Sequence, residues 1–278
     1  LFDLYLASPQ YQKTSKGDKE NVAGHLKKLR PVFGKMFPKK VSPGHIRLYM
    51  DKRGAKYMVA ANKEHGFLSR VFNWGMERNF CQSNPTEKVK KFEETPRDRY
   101  IEDWEYDLVY EVAKKSNDAW IAPAMEFSYL CRMRSGEVLG LLEDVHVLED
   151  GIFVKRSKGS TNEITAWSPR LTQALKDAKQ ICNPNAPTRL TEKPIFKNRY
   201  GRPFSADYRK KAWARVRKLA MEKGLEIDGI TVKLKEPFNF HDIKAKGITD
   251  HAEKAGGHKS KKMQAVYDRK PSIIASTR

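Results

Sequence analysis

Apolar residues in the first part of the chain recur at the three- and four-residue spacing of amphipathic helices. Two such stripes contain Leu26, Leu29, Val32, Phe33 and Phe67, Val71, Trp74, with Leu68 and Gly75 beside the second. Turns are predicted at Ser42-Pro43 and over Asp51 to Gly54, and Asn84-Pro85 is predicted to end the last helix. The pattern therefore predicts an all-helical domain over residues 1–87.

A polar, charged segment follows this helical region. Its only apolar residues are Val89 and Phe92, which are too few for a periodic face. Such a composition is typical of an interdomain linker. We therefore predict a linker over residues 88–99 and a second domain over residues 100–278.

The second domain mixes helical and strand periodicities. Helices are predicted around Trp104, Leu108 and Val112, over Trp120 to Leu130, over residues 169–182, and over a basic stretch from Ser205 to Lys223 that Gly224 would cap. Apolar residues also alternate around Glu149-Asp150-Gly151, which predicts a hairpin over Val145 to Val154, and Glu163 to Trp167 is a candidate third strand. The expected fold is mainly α with a small antiparallel β-sheet.

Composition and charge indicate the class of partner. The chain has 278 residues, a formal net charge of +20, 39% hydrophobic and 32% charged residues. This length allows one large or two ordinary domains, each with its own core. Because the positive excess is spread along the whole chain, it favours a polyanion, and nucleic acid is the most common one. A basic but inert surface is the alternative.

Cysteine usage and hydropathy exclude several other classes. Cys81, Cys131 and Cys182 are far apart and form no Cys-x-x-Cys pair, which argues against a disulfide framework or a zinc site. No apolar run approaches the roughly 20 residues of a membrane span, and no signal peptide is visible. We expect a cytoplasmic protein with no membrane partner. The chain opens at Leu1 and not at methionine, which leaves open a fragment or a processed form.

Tyr267 is the candidate nucleophile of the chain. A phenol reacts poorly at neutral pH because its reference pKa is about 10, and it becomes useful only beside cations and a proton acceptor. His258 follows two glycines, where the chain can turn sharply and open a helix, and three lysines lie between it and Tyr267. A core tyrosine and a structural histidine are the alternative interpretation.

Cations upstream of Tyr267 complete this candidate set. His241 and Lys244 are three residues apart, which places them on one face of a helix. Arg134 lies among apolar residues, where a buried guanidinium needs an anion such as phosphate. Arg132 competes with it, and a salt bridge from Arg134 to Glu137 would explain the arginine without any ligand. Lys158 follows a predicted strand and could be a proton donor or a solvated turn lysine.

In this order and spacing, these segments resemble the tyrosine recombinases of the phage-integrase family. Arg134 and Glu137 fall on the family pattern Thr-Gly-x-Arg-x-x-Glu, with Cys131-Arg132 in place of Thr-Gly. Lys158 matches the catalytic lysine that the family carries on its β2–β3 hairpin. The remaining matches are His241 to Lys244 for His-x-x-Arg, with lysine replacing arginine, Gly-Gly-His at His258 for Leu-Gly-His, and Tyr267 for the nucleophile.

The resemblance also covers the N-terminal half. Phe72-Asn73-Trp74 and Asn84-Pro85 are similar to the helical core-binding (SAM-like) domain that precedes the catalytic domain in phage integrases. It implies site-specific recombination, in which Tyr267 attacks a DNA phosphodiester and forms a 3′-phosphotyrosyl link. Arg134, Lys244 and His258 would stabilise the phosphorane, Lys158 would protonate the leaving 5′ oxygen, and His241 would assist.

The resemblance further implies the cofactors and partners. Neither a metal nor a nucleotide cofactor is expected, which agrees with the lack of a carboxylate cluster for Mg²⁺. The expected partners are double-stranded DNA with core-type sites, further copies in a homotetramer on synapsed DNA, and possible DNA-bending accessory proteins. Candidate DNA contacts are Lys56 and Lys63 in the helical domain and Arg199 and Arg202 before the basic helix.

Three other functions stay open on the sequence. A type IB topoisomerase-like relaxase would use similar residues but act alone. A non-catalytic DNA-binding protein would keep the charge and helices without needing Tyr267. A metal-dependent nuclease is disfavoured because the carboxylates it needs are missing.

Overall fold

The computed structural model of the chain describes residues 1–95, 97–156, 160–182, 193–253 and 266–269. It divides into two compact units, Leu1–Thr95 and Pro96–Arg278. The division lies within the segment that the sequence predicts as a linker, while the predicted domain bounds themselves stay a prediction.

The N-terminal unit is built from helices. These are α1 (Phe2–Ala7), α2 (Pro9–Gln12), α3 (Lys16–Phe33), a 3₁₀ turn (Pro38–Lys40) and α4 (Pro43–Met76). Both predicted apolar stripes lie on α3 and α4 and enter one core, except that Val32 is exposed. At Ser42-Pro43, where the sequence predicts a turn, α4 begins: the Ser42 side chain accepts a hydrogen bond from the amide of His45, and Pro43 occupies the first turn.

The predicted turn over Asp51 to Gly54 is wrong. Helix α4 continues through these residues, and its only non-helical backbone among the residues described is at Tyr57 (φ −140°, ψ 60°). The glycine has a packing role instead, because a Cβ at Gly54 would lie 2.2 Å from the Phe92 ring. In the sequence, a glycine that lets a side chain pack against a helix cannot be told from a glycine that forms a turn.

The helix end predicted at Asn84-Pro85 is also wrong. Helix α4 ends at Met76, and the chain turns at Asn79 with φ of 60°. Asn84 is buried and donates to Asn73 Oδ1 (2.7 Å), while its own oxygen accepts from Thr86. It therefore fastens the following segment back onto α4.

Residues that follow this turn also contact the N-terminal unit. Val89 belongs to its core. The Asn62 side chain accepts from the Phe92 amide and donates to the Phe92 carbonyl, both at 2.9 Å. Part of the predicted linker is therefore attached to the helices before it.

The C-terminal unit is mainly helical with two small antiparallel hairpins. Its helices are α5 (Asp103–Lys114), α6 (Ile121–Leu130), α7 (Ser135–Leu139), α8 (Glu143–His146), α9 (Pro169–Ile181), α10 (Ala206–Glu222) and α11 (Phe240–Asp250). Its strands are β1 (Gly151–Val154), β2 (Glu163–Ala166), β3 (Leu225–Ile227) and β4 (Ile230–Val232). The predicted fold class, mainly α with small antiparallel sheets, is confirmed.

Helix α6 is the centre of this unit. It is buried on all sides and packs against α5, α7, α9 and α11, as expected for a helix that is apolar around its whole circumference. Helix α11 approaches it closely, because a Cβ added at Gly247 would lie 2.2 Å from the Tyr129 carbonyl oxygen. Leu108 and Val112 of α5 are buried as predicted, whereas Trp104 is 46% exposed.

The first strand predicted around Val145 is wrong. Residues Glu143–His146 form a helical turn, and only an isolated bridge joins Val147 to Ile152. The hairpin instead pairs β1 with β2, with Gly151 opposite Ala166 and Val154 opposite Glu163. The sequence analysis missed the β3–β4 hairpin, although Asp228-Gly229, both at positive φ, is a two-residue turn signal.

Each helix in the described ranges is either too short or too polar to cross a lipid bilayer.

The contact between α6 and α11 leads to a stability prediction. We expect Gly247→Ala to lower the free energy of unfolding by about 1–3 kcal/mol, because the added methyl group must push two packed helices apart. Urea unfolding measures this change. Gly136→Ala in α7 is the matched control, since its Cβ would meet nothing within 4 Å. Equal midpoints for the two variants would contradict the close approach.

Candidate active site

Helix α11 presents two of the predicted site residues. Its N-terminus is closed by Asp242, whose carboxylate accepts from the Asn239 amide at 2.8 Å. This cap sets the register of the helix and places His241 and Lys244 one turn apart on the same face. The tight packing of Gly247 on α6 fixes the helix from the other side.

Lys244 carries a buried amine. Its relative exposure is 0%, and among the described residues Nζ has no acceptor within bonding distance. Burial, and then the positive charges of Arg156 and Arg134, lower the pKa of Lys244 to about 7, against a smaller opposing effect of Glu137 and Glu163. The surroundings of Lys244 therefore oppose a positive charge on its amine.

Tyr267 lies against both residues of this helical face. Its hydroxyl is 3.2 Å from His241 Nε2, and the two rings meet at 72°. Lys244 Nζ lies 5.9 Å from the centre of the Tyr267 ring. His241 stays accessible, but the surrounding protein removes part of its hydration, and this loss, together with the cations Lys244 and Arg134, lowers its pKa. A neutral histidine is able to accept a proton from the phenol.

A few polar contacts dock the Tyr267 segment onto α11. The Thr249 hydroxyl donates to the Tyr267 carbonyl (2.8 Å) and accepts from the Arg269 amide (3.1 Å). The Arg269 side chain is nearly buried and donates to Asp242 Oδ1 (2.8 Å) and to the Arg99 carbonyl (3.1 Å). Tyr267 therefore lies against α11 of the same chain.

The predicted Arg134 lies where the chain enters α7. Its side chain donates to Glu137 (2.9 Å), and its amide donates to the other oxygen of the same carboxylate (2.8 Å). The salt bridge weighed on the sequence is therefore present. The charge of Arg134 also reaches the neighbouring site, since it lowers the pKa of both His241 and Lys244.

The loop before Arg134 contains a strained residue. Arg132 has a positive φ of 51° at the position where the family pattern has glycine. A non-glycine residue in this region costs about 1–2 kcal/mol, so other contacts must hold it. Arg132 donates to Glu163 at 3.2 Å, which shows that this competing candidate has a structural partner.

Arg156 is the residue that sequence reasoning missed. Its side chain has 0% exposure and donates to the carbonyls of Arg132 (2.7 Å) and Cys131 (3.1 Å). It also pairs with Glu137 (3.3 Å) and Glu163. The arginine thus joins the β1–β2 hairpin to the loop that carries Arg134. An arginine directly after an apolar strand was the available signal.

The remaining predicted residues are not brought to this site by the described structure. Lys158 and His258 lie outside the described residues. The candidate DNA contacts are exposed: Lys56 and Lys63 on α4, and Arg199 and Arg202 in the turn before α10. Sequence reasoning also missed Arg209, which reaches Ser135 Oγ at 2.7 Å beside Arg134, and whose pKa is lowered by burial.

The site therefore combines Arg134 in a loop, His241 and Lys244 on one helix, and Tyr267 beside that helix. A comparison of the sequence with known protein families agrees with this arrangement. The sequence model of the phage integrase family matches residues 99–271. The chain therefore belongs to the phage integrase family, the tyrosine recombinases. No curated protein matches the chain in sequence.

Solved structures share the fold over nearly the whole chain. A lambda integrase dimer bound to a COC′ core site superposes with a TM-score of 0.78 at 16% identity, covering 99% of this chain and 97% of that one. A lambda integrase tetramer on a Holliday junction gives 0.69 at 16%, covering 99% and 78%. The Tn1549 transposon integrase with circular intermediate DNA gives 0.72 at 14%, covering 94% and 92%. At these identities the likeness shows the fold.

The docking of the Tyr267 segment can be tested without any substrate. Thr249→Val removes the acceptor of the Arg269 amide while keeping the side-chain shape, so we expect exchange of that amide to accelerate roughly two- to tenfold. Hydrogen exchange followed by NMR measures it. Thr249→Ser keeps the hydroxyl and is the matched control. If the valine variant exchanges no faster than the serine variant, the threonine does not hold this segment.

Proposed function

We propose that this chain is a site-specific recombinase that cleaves and rejoins double-stranded DNA through Tyr267 and so integrates or excises a phage or other mobile element. The observation that carries the proposal is the Tyr267 hydroxyl, 3.2 Å from a ring nitrogen of His241 and beside the buried Lys244. Membership of the phage integrase family supports it.

The proposed chemistry is a transesterification. The Tyr267 oxygen attacks phosphorus, the bond from phosphorus to the 5′ oxygen breaks, Lys158 gives a proton to the leaving 5′ oxygen, and a 3′-phosphotyrosyl link forms. His241 receives the phenol proton or holds the phosphate. Arg134, Lys244 and His258 stabilise the negative charge of the phosphorane, as positioned cations do. Attack by a partner strand's 5′-hydroxyl reverses the step, so the linkage itself conserves the bond energy and no metal or nucleotide is required.

Assembly and partners form part of the same proposal. We infer that the substrate is duplex DNA with core-type sites, and that four copies act on two synapsed duplexes, with DNA-bending accessory proteins as possible helpers. The tetramer of lambda integrase on a Holliday junction, which has the same fold, supports this assembly. The net charge of +20 supplies the attraction to phosphate.

Covalent capture tests the function directly. The chain is incubated in EDTA with a pool of nicked duplexes of randomised sequence, and protein–DNA adducts are separated on a denaturing gel and sequenced. Recovery of one preferred sequence supplies the site, and transfer between two different captured duplexes separates a recombinase from a relaxase that acts alone. Failure to recover any adduct would leave only a non-catalytic DNA-binding role.

Tyr267→Phe should bind the captured duplex but form no adduct, because the phenyl ring keeps its contacts with His241 and lacks the attacking oxygen. The matched control is Tyr200→Phe, which changes an exposed tyrosine and should leave adduct formation intact. An adduct that survives in the Tyr267 variant would assign the nucleophile to another residue.

Lys158→Ala should slow cleavage by about 10²–10⁴-fold, the usual loss for a positioned acid. A substrate with sulfur at the bridging 5′ position should restore the rate, because a thiolate leaves without a proton. The control is Lys155→Ala, which changes an exposed lysine directly after β1. If sulfur does not rescue the slow variant while DNA binding is intact, another group is the acid.

Side chains that bind phosphate outside the site should be visible in the salt dependence. Affinity for the captured duplex should fall steeply with salt, and removing one side chain that neutralises a phosphate should reduce the log–log slope by about 0.9. We expect such a reduction for Lys56→Gln, Lys63→Gln, Arg199→Gln and Arg202→Gln. Lys114→Gln, whose lysine pairs with Glu111, should leave the slope unchanged. Identical slopes in all five variants would remove these residues from the interface.

A further inference from the structure

The buried amine of Lys244 is unusual because its surroundings oppose a charge. The charged groups that face it are Arg134 and Glu137 from the α7 region, and Arg156 and Glu163 from the β1–β2 hairpin. His241 precedes it by one turn, and the Tyr267 ring closes one side. An ammonium group in such a place needs an anion or must give up its proton.

Both carboxylates near Lys244 are already bound to arginines. Glu137 accepts from the side chain and amide of Arg134 and from Arg156. Glu163 accepts from Arg132 and Arg156. Among the described residues, three guanidinium groups therefore share two carboxylates, and this cluster is positive before Lys244 is counted. A further proton on the lysine is unfavourable until another negative charge enters.

A DNA phosphodiester would supply that charge. Under the function proposed above, the scissile phosphate lies within reach of Tyr267, beside which Lys244 Nζ is placed. We propose that Lys244 is an uncharged amine in much of the free protein at neutral pH and takes up one proton from solvent when a DNA phosphodiester occupies the site. The bound phosphate and the new ammonium group then neutralise each other in a buried setting.

Arginine at this position could not behave in this way. A guanidinium has a pKa above about 12 and stays charged whether or not phosphate is bound. The lysine would therefore make phosphate binding dependent on pH, in a range where the family's arginine would not. Its proton is bound more tightly in the complex than in the free protein, so linkage weakens binding as pH rises above about 7, by up to about tenfold per pH unit.

The first half of the proposal, an uncharged Lys244, is tested on the protein without DNA. Lysine side chains carrying ¹³C at Cε are titrated by NMR in the full-length Tyr267→Phe protein, and the Lys244 signal is assigned by its loss in Lys244→Met. We expect this signal to titrate near neutral pH and to shift well upward when the captured duplex is added. A Lys244 signal that titrates near the ordinary lysine value of about 10.4 in free protein would overturn the proposal.

Proton uptake on binding tests the second half. Calorimetry of the Tyr267→Phe protein with the captured duplex, in two buffers of different ionisation enthalpy, counts the protons taken up. The count should fall when Lys244→Arg or Lys244→Met is added to Tyr267→Phe, with a difference approaching one proton above about pH 7. His241 and His258 are present in all three proteins. Because the charge of Lys244 lowers the pKa of His241, the titration of His241 is followed by NMR in each protein and its proton count is subtracted.

The two variants of Lys244 guard against a folding artefact, because arginine keeps the charge and methionine keeps an unbranched chain of similar length. Equal proton uptake in all three proteins would overturn the proposal even where each binds DNA. This result differs from failure of the proposed function, which would appear as the absence of a Tyr267-dependent adduct from the parent chain.

Discussion

The candidate site depends on the hydrogen bonds and ion pairs of one side chain, the fully buried guanidinium of Arg156. It donates to the carbonyls of Cys131 and Arg132 and pairs with Glu137 and Glu163, so one side chain connects the loop before Arg134 to the end of the β1–β2 hairpin at which β2 begins. A buried charge left without its partners destabilises the folded state by about 3–5 kcal/mol. Loss of one member of this network would therefore destabilise the rest. Because Arg156 pairs with both Glu137 and Glu163, neither carboxylate accepts a hydrogen bond from Lys244.

The candidate site combines a tightly packed helix with the segment that carries Tyr267. Helix α11 is packed against the central helix α6 at Gly247 and capped by Asp242, so its two site residues have fixed positions. The Tyr267 segment is attached by the polar contacts of Thr249 and Arg269.

Predictions from the sequence were wrong where one local sequence pattern is compatible with two different structures. Gly54 has the sequence signature of a turn, but it permits Phe92 to touch a continuous helix. The apolar residues around Val145 alternate like a strand, yet a helical turn forms there because the hairpin pairs β1 with β2. Local pattern cannot distinguish these cases, since the deciding contact comes from a residue distant in the chain.

The sequence by itself determined the helical character of both units, the apolar stripes of α3 and α4, and the order of the family's boxes, because periodicity and motif spacing are local properties. It also placed His241, Lys244 and Tyr267 in one candidate set. Only the tertiary structure decided that Arg156 holds the Arg134 loop, that Arg132 accepts a strained backbone, and that Arg269 docks the tyrosine segment. It also decided the electrostatic state of Lys244. Charge, burial and hydrogen bonding at a residue depend on which side chains surround it, and in this site those side chains come from four separate segments of the chain.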